Sequence, residues 1–208
     1  SILEKIAAHL QTHCLAAWEG TFRDYLALVL QQPTLAQRAH ARLYDMIHAA
    51  GVHVDEGGKE HYAFFERDLF GIDEPLAKVV EYFKAAALGS DVGRRILLLY
   101  GPPSSGKSQL VILLKRGLEE FAHTDAGAVY AIADCPQHED PLNLVPHALR
   151  REFQEETGIH TEGELCPLCA LTLREKYQGD IYKVPVRRIF FSEKERCGIG
   201  TFVPSDPK

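Results

Sequence analysis

Apolar residues recur along this chain at two periods, and the switches between them mark out its elements. Ile2, Leu3, Ile6 and Leu10 fall at helical spacing. Thr21-Phe-Arg-Asp24 reads as a capping box opening a helix over 22–30, which Pro33 helps to stop. Thr34-Leu-Ala-Gln37 reads as a second capping box, for a helix that runs to Gly51, a residue suited to a left-handed C-cap. Residues 52–65 are polar, and Gly57-Gly58 mark a turn or short hairpin. An amphipathic helix is expected over 76–87, then a turn at 89–93. Arg95-Ile-Leu-Leu-Leu-Tyr100 is continuously apolar at its centre and predicts a buried strand, followed by a helix over 108–121. Further on, the pattern predicts a strand over 128–133, helices over 141–157 and 166–177, and a strand over 184–191 pairing with 198–203 as a hairpin.

Between the apolar run and the next helix lies Gly101-Pro102-Pro103-Ser104-Ser105-Gly106-Lys107-Ser108, a full match to G-x-x-x-x-G-K-[ST]. Strand, glycine loop and helix follow in the order that a phosphate-binding loop requires. Gly101 and Gly106 let the chain turn successive backbone N–H groups inward as an anion nest. The positive end of the helix adds to that field. Lys107 is placed to neutralise the β- and γ-phosphates, and the Ser108 hydroxyl to ligate Mg²⁺. ATP with Mg²⁺ is therefore the expected ligand.

Composition narrows the rest. At 208 residues the chain is long enough for one α/β core with a small helical appendage. A formal charge of −6 without a Lys/Arg cluster argues against a nucleic-acid partner. Apolar runs such as 96–99 and 111–114 are far too short to span a bilayer. Glu4 and Lys5 interrupt any signal-peptide pattern, and five cysteines in such a chain suggest a reducing compartment. A cytoplasmic location without a membrane partner is expected.

Hydrolysis of Mg-ATP needs a second acidic element at the end of a strand. Asp134, after Val129-Tyr-Ala-Ile-Ala133, and Glu193, after Ile189-Phe-Phe-Ser192, are the candidates; both read more simply as ordinary strand ends. No catalytic residue is assigned. The chain is expected to be a fragment whose catalytic acid lies beyond Lys208, binding ATP but turning it over slowly.

Cys135-Pro-Gln-His138 and Cys166-Pro-Leu-Cys169 are a C-x-x-H and a C-x-x-C pair separated by 27 residues. Each two-residue spacer allows both ligands to close on one tetrahedral ion, so Cys135, His138, Cys166 and Cys169 are candidates for structural Zn²⁺. A pair of loop cysteines beside a surface histidine, and a redox C-x-x-C, remain open alternatives. Cys14, in a helix, and Cys197, in a turn, read as isolated thiols. His40, His48, His53, His61 and His123 read as solvated, and Trp18 with Phe64-Phe65 as packing residues.

Several segments carry a family resemblance. They include Trp18-Glu-Gly-Thr-Phe22, Ala39-His-Ala-Arg42, Leu69-Phe-Gly71 and Arg94-Arg-Ile-Leu-Leu-Leu99 running into Gly106-Lys-Ser108. Cys135-Pro-Gln-His-Glu-Asp-Pro-Leu142, Ile189-Phe-Phe-Ser-Glu193 and Pro204-Ser-Asp-Pro-Lys208 extend it. The chain resembles the N-terminal part of the PrkA family of bacterial serine protein kinases, whose N-terminal module is an AAA-type ATPase. The resemblance implies an α/β P-loop NTPase fold with a mostly parallel sheet flanked by helices. It would comprise a helical N-terminal region over 1–68 and a P-loop core over 69–208 whose C-terminal part is missing. In AAA-type ATPases the position of Leu69-Phe-Gly71-Ile72 packs against adenine, which gives Gly71 and Ile72 that role here. Such modules usually work as rings, so the full-length protein is expected to be a homo-oligomer acting on protein substrates. The zinc expectation comes from this sequence and not from the resemblance.

Three other readings stay open. One is the AAA motor of an ATP-dependent protease, although no Ser-Lys dyad can be assigned. Another is a small-molecule phosphotransferase, with Arg150-Arg151 as the one lid-like hint. The third is a non-catalytic nucleotide sensor or scaffold.

Overall fold

The computed structural model describes Ile2 and residues 18–202. Among them the order is β1 (Glu19–Thr21), α1 (Phe22–Gln31), α2 (Ala39–Ala49), β2 (Val52–Val54), β3 (Glu60–Tyr62) and α3 (Asp73–Ala87). Then come α4 (Lys107–Ala122), β4 (Val129–Ile132), α5 (Arg150–Thr157), α6 (Pro167–Glu175) and β5 (Pro185–Ile189). Apart from Ile2, the expected first helix and Cys14 lie outside the described residues. Contacts group the chain into two units: Gln37–Phe121, and the residues before it together with those from Ala122 onward. The expected boundary at 68/69 falls inside the first of these.

In the unit Gln37–Phe121, α3 opens with Asp73 and Glu74 at its positive end and buries Leu76, Val79, Val80, Phe83 and Ala86 along one face. They meet Met46 and Ile47 of α2, Phe65, Leu69, and Leu110 and Leu113 of α4. The helix expected from Thr34 starts five residues later. Pro33–Ala36 forms a 3₁₀ turn that buries Leu35, and the Gln37 amide donates to Asp45 Oδ2 at 2.6 Å instead of reaching back to Thr34. The hairpin at Gly57-Gly58 forms as expected: β2 and β3 pair antiparallel, and Asp55 Oδ1 accepts the N–H groups of Gly57 and Lys59, both at 2.9 Å. His48 departs from the solvated reading, since its Nε2 is buried and its ring lies 4.1 Å from that of Tyr44.

The other unit is built on an antiparallel sheet in the order β1-β5-β4, with Glu19 opposite Arg187 and Ile132 opposite Val186. Its core is led by Phe22, Val29 and Val186, all within 1% of full burial. Trp18 packs edge-on against Tyr130, with centroids 5.1 Å apart. The capping box at Thr21 is present: Asp24 N–H donates to Thr21 Oγ1, and Thr21 N–H donates to Asp24 Oδ2 at 2.8 Å. The Thr21 hydroxyl, which donates to Asp24 Oδ2 at 2.6 Å, and the Thr21 N–H hold the exposed Asp24 carboxyl below the usual carboxylate range. The helix expected over 141–157 is broken, because Val145 precedes Pro146 and is driven to extended backbone (ψ 121°). Only α5 is α-helical there, and it ends at Gly158 in the left-handed region (φ 72°). The expected hairpin after β5 reduces to a single bridge, Ser192 with Cys197.

The mostly parallel sheet is not present among the described residues. A parallel pair would need residues 95–100 and β4 joined in one ladder across α4. Residues 95–100 instead form no ladder, and β4 pairs antiparallel with β5. Ile96 is 93% exposed and Leu98 79%, which is unusual for a run this apolar.

Phe22→Ala removes a fully buried ring and is expected to lower stability by about 3–5 kcal/mol. Thr21→Ala, which removes an exposed cap, is expected to cost about 1 kcal/mol. Urea unfolding checks the order; a Thr21 effect as large as the Phe22 effect would contradict this account of the core.

Candidate functional site

Residues 101–108 form a loop closed by two left-handed positions, Ser104 (φ 61°) and Gly106 (φ 84°). Gly106 precedes α4, and its carbonyl accepts the Leu110 N–H at 2.8 Å, the first helical bond. A Cβ on Gly106 would stand 3.2 Å from Leu69 Cδ2 and 3.4 Å from Ile72 Cδ1. The left-handed backbone favours glycine here, and a Cβ would press on the ends of two side chains. Lys107 bends back over the loop. Its Nζ donates to the Gly101 carbonyl at 2.9 Å, the Pro102 carbonyl at 2.6 Å and Ser105 Oγ at 2.9 Å. An ammonium and the positive end of a 16-residue helix thus converge on one short loop.

Beside the loop is a cleft of about 430 Å³. Its walls are Ile72, Pro75, Leu76, Lys78 and Val79, residues 97–102, Ser105, Gly106, Lys107 and Leu110. The volume lies in the range of small-molecule sites, about 300–1,000 Å³. An apolar wall with a charged corner suits a ligand that has a flat apolar part and an anionic part.

Of the sequence-expected residues, Gly101, Pro102, Ser105, Gly106, Lys107 and Ile72 meet at this cleft. Pro103 and Ser104, exposed on the loop, and Ser108, exposed in the first turn of α4, do not line it. Gly71 does not line it either; with φ 71° and open space around its Cα, it turns the chain into α3. Pro75 and Val79 were not singled out by motif. They lie one helical turn apart, on the same side as Ile72 and Leu76, and that spacing was the available signal.

Neither candidate acid belongs to the unit that carries the loop. Asp134 follows β4 in a left-handed conformation (φ 62°) and is exposed. The Glu193 carboxylate accepts the Thr201 hydroxyl.

A second constellation lies in the sheet unit. The donor atoms of Cys135, Glu139, Cys166 and Cys169 all fall within 4.8 Å of one another. His138 is not among them. It takes a left-handed conformation (φ 50°) with Nδ1 buried and unpartnered, and the next residue, Glu139, supplies the fourth donor. Burial raises the Cys135 thiol, but N–H donors on Glu139 and Gln137 and the neighbouring thiols outweigh it and bring the group below its ordinary range. Burial, with Glu139 and the other two sulfurs, pushes the Cys169 thiol well up. Cys197 stands apart, and burial raises its thiol too.

Gly106→Ala is expected to destabilise the chain by about 1–2 kcal/mol from the left-handed backbone, with added strain against Leu69. Thermal melting checks this; an unchanged or raised Tm would contradict the packing described.

The model of the PrkA AAA domain family matches residues 20–208. The chain is 53% identical over all 208 residues to the ATP-dependent protease PrkA of Bacillus subtilis (strain 168), and it covers 33% of that protein. It is 28% identical over 153 residues to the serine/threonine kinase YeaG of Escherichia coli (strain K12), covering 70% of this chain and 22% of the relative. A stretch of 81 residues, 38% of this chain and 10% of the relative, is 32% identical to the Lon protease of Desulfosudis oleivorans. The chain thus spans a third or less of the length of each of these three proteins. No solved structure matches it. No helix among the described residues is long and apolar enough to cross a membrane. With its glycine loop at the mouth of a helix and a family match over nearly its whole length, the chain belongs to the PrkA AAA domain family, a branch of the P-loop NTPases.

Proposed function

We propose that this chain binds Mg-ATP through residues 101–108 and serves as the ATP-dependent module of a cytoplasmic bacterial serine protein kinase. The observation that carries the reading is the Lys107 ammonium, held by three oxygens of its own loop at the N-terminus of α4. Those bonds hold a positive charge where an anion would enter. Phosphate oxygens replace the carbonyls as its partners, which costs the loop little because the glycines already set its shape. Ile72, Pro75, Val79 and Leu110, which line the cleft, are the residues that would hold the base. Mg²⁺ bound with the nucleotide would neutralise phosphate charge, and Ser108, exposed in the first turn of α4, is the residue that would hold it. The module works as a homo-oligomer on protein substrates, and a neighbouring copy contributes to each site.

A second reading, the motor of an ATP-dependent protease, is favoured by the names of the Bacillus and Lon relatives. Both readings share the nucleotide site and differ in what ATP drives.

Calorimetric titration with ATP and Mg²⁺ tests the shared site. Lys107→Ala removes charge-assisted bonds that are each worth about 1.5–3 kcal/mol, so affinity should fall by about ten- to a hundredfold. Equal affinity in the variant would sink the assignment. In a protein of the relatives' full length, transfer of labelled phosphate to a protein substrate supports the kinase reading. ATP-dependent release of peptides without such transfer supports the protease reading.

A further inference from the structure

We propose that Cys135, Glu139, Cys166 and Cys169 form a closed structural zinc site. Three sulfurs and a carboxylate converge from separate parts of the unit: the turn after β4, and the N-terminus of α6 some 27 residues further on. The Cys135 and Cys166 sulfurs are 4.0 Å apart. A disulfide needs about 2.05 Å. Two sulfurs on one tetrahedral Zn²⁺, each about 2.3 Å from the ion, stand about 3.8 Å apart. The observed separation matches the edge of a zinc tetrahedron and is nearly twice a covalent bond.

The carboxylate supplies the second, independent observation. Glu139 is only 9% exposed, and its Oε2 is buried without a hydrogen-bond partner. A buried carboxylate oxygen left unpaired is costly. Its other oxygen is fixed, accepting the Cys166 N–H at 2.8 Å and the Asn143 amide at 3.4 Å. Oε1 is thus held by two N–H donors while Oε2 is left without one, and the carboxylate lies within 4.8 Å of all three sulfurs, as a metal ligand requires. One sulfur is oriented as well: the Cys169 N–H donates to Cys166 Sγ at 3.4 Å.

All four positions are protein ligands, so the ion has no open site for water and does no chemistry. It ties the end of β4 to the start of α6 across the irregular stretch 133–166, which contains a single two-turn α-helix. A cavity of about 310 Å³ borders Cys135 and Cys169 and gives the ion a way in.

The test is elemental analysis of the full 208-residue chain, purified without chelators or metal-affinity resin. About one zinc per chain is expected, with a thiolate-to-metal absorption band after cobalt exchange. Cys166→Ser and Cys169→Ser should lose the ion, and Glu139→Gln should weaken its binding by at least about tenfold. His138→Ala should retain it, which separates this ligand set from one containing the histidine. Metal-free chain with freely titrating thiols would overturn the proposal. So would a Cys135–Cys166 disulfide found by mass spectrometry, or loss of the ion in His138→Ala with retention in Glu139→Gln. Lys107→Ala should keep the zinc, so the outcome is independent of the nucleotide reading.

Discussion

The cleft beside residues 101–108 depends on a close approach at one residue. Gly106 takes a left-handed conformation where the loop closes, and Leu69 and Ile72 press close to the space where a side chain would sit. That contact joins the loop to the segment entering α3, and so places the apolar wall of the cleft beside the charged corner. Any side chain at 106 would push Leu69 and Ile72 away and strain the turn that starts α4. The arrangement of Lys107 follows from it. Once the loop is closed, the ammonium finds three oxygens within 3 Å.

The two units reach stability by different means. In Gln37–Phe121, amphipathic helices bury apolar faces led by Val80 and Ile47 around Phe65, which comes from the turn after β3. The sheet unit has short strands and long irregular connections, with few residues in α-helix. There, cluster chemistry supplements the core: the residues that converge at Cys135, Glu139, Cys166 and Cys169 lie where secondary structure is sparsest. The apolar run 95–100 is the exception to ordinary burial, since it carries exposed Ile96 and Leu98 directly into the loop before α4.

Local rules read well from sequence where the partners are near in the chain. The capping box at Thr21, the hairpin at Gly57-Gly58, α3 and α4 all follow from side chains within four residues of one another. The loop 101–108 was legible for the same reason. Where partners are distant, local signals were overridden. Gln37 bonds Asp45 and so caps nothing, and Val145-Pro146 breaks a helix that composition favoured. Strand direction was not legible at all, because pairing of β4 with β5 depends on residues about 55 positions apart. In the cysteine cluster the spacing identified three of four converging residues. The exchange of His138 for Glu139 turns on a left-handed backbone at 138, which no spacing rule encodes.

Hydrogen exchange with and without Mg-ATP tests the central claim most directly, because it locates the ligand residue by residue. Slowed exchange at the amides of 101–110, together with those around Ile72, is the predicted result, and Lys107→Ala should abolish it. Slowing centred on the cavity beside Cys135 and Cys169, or none in either segment, would contradict the assignment of the loop as the nucleotide site.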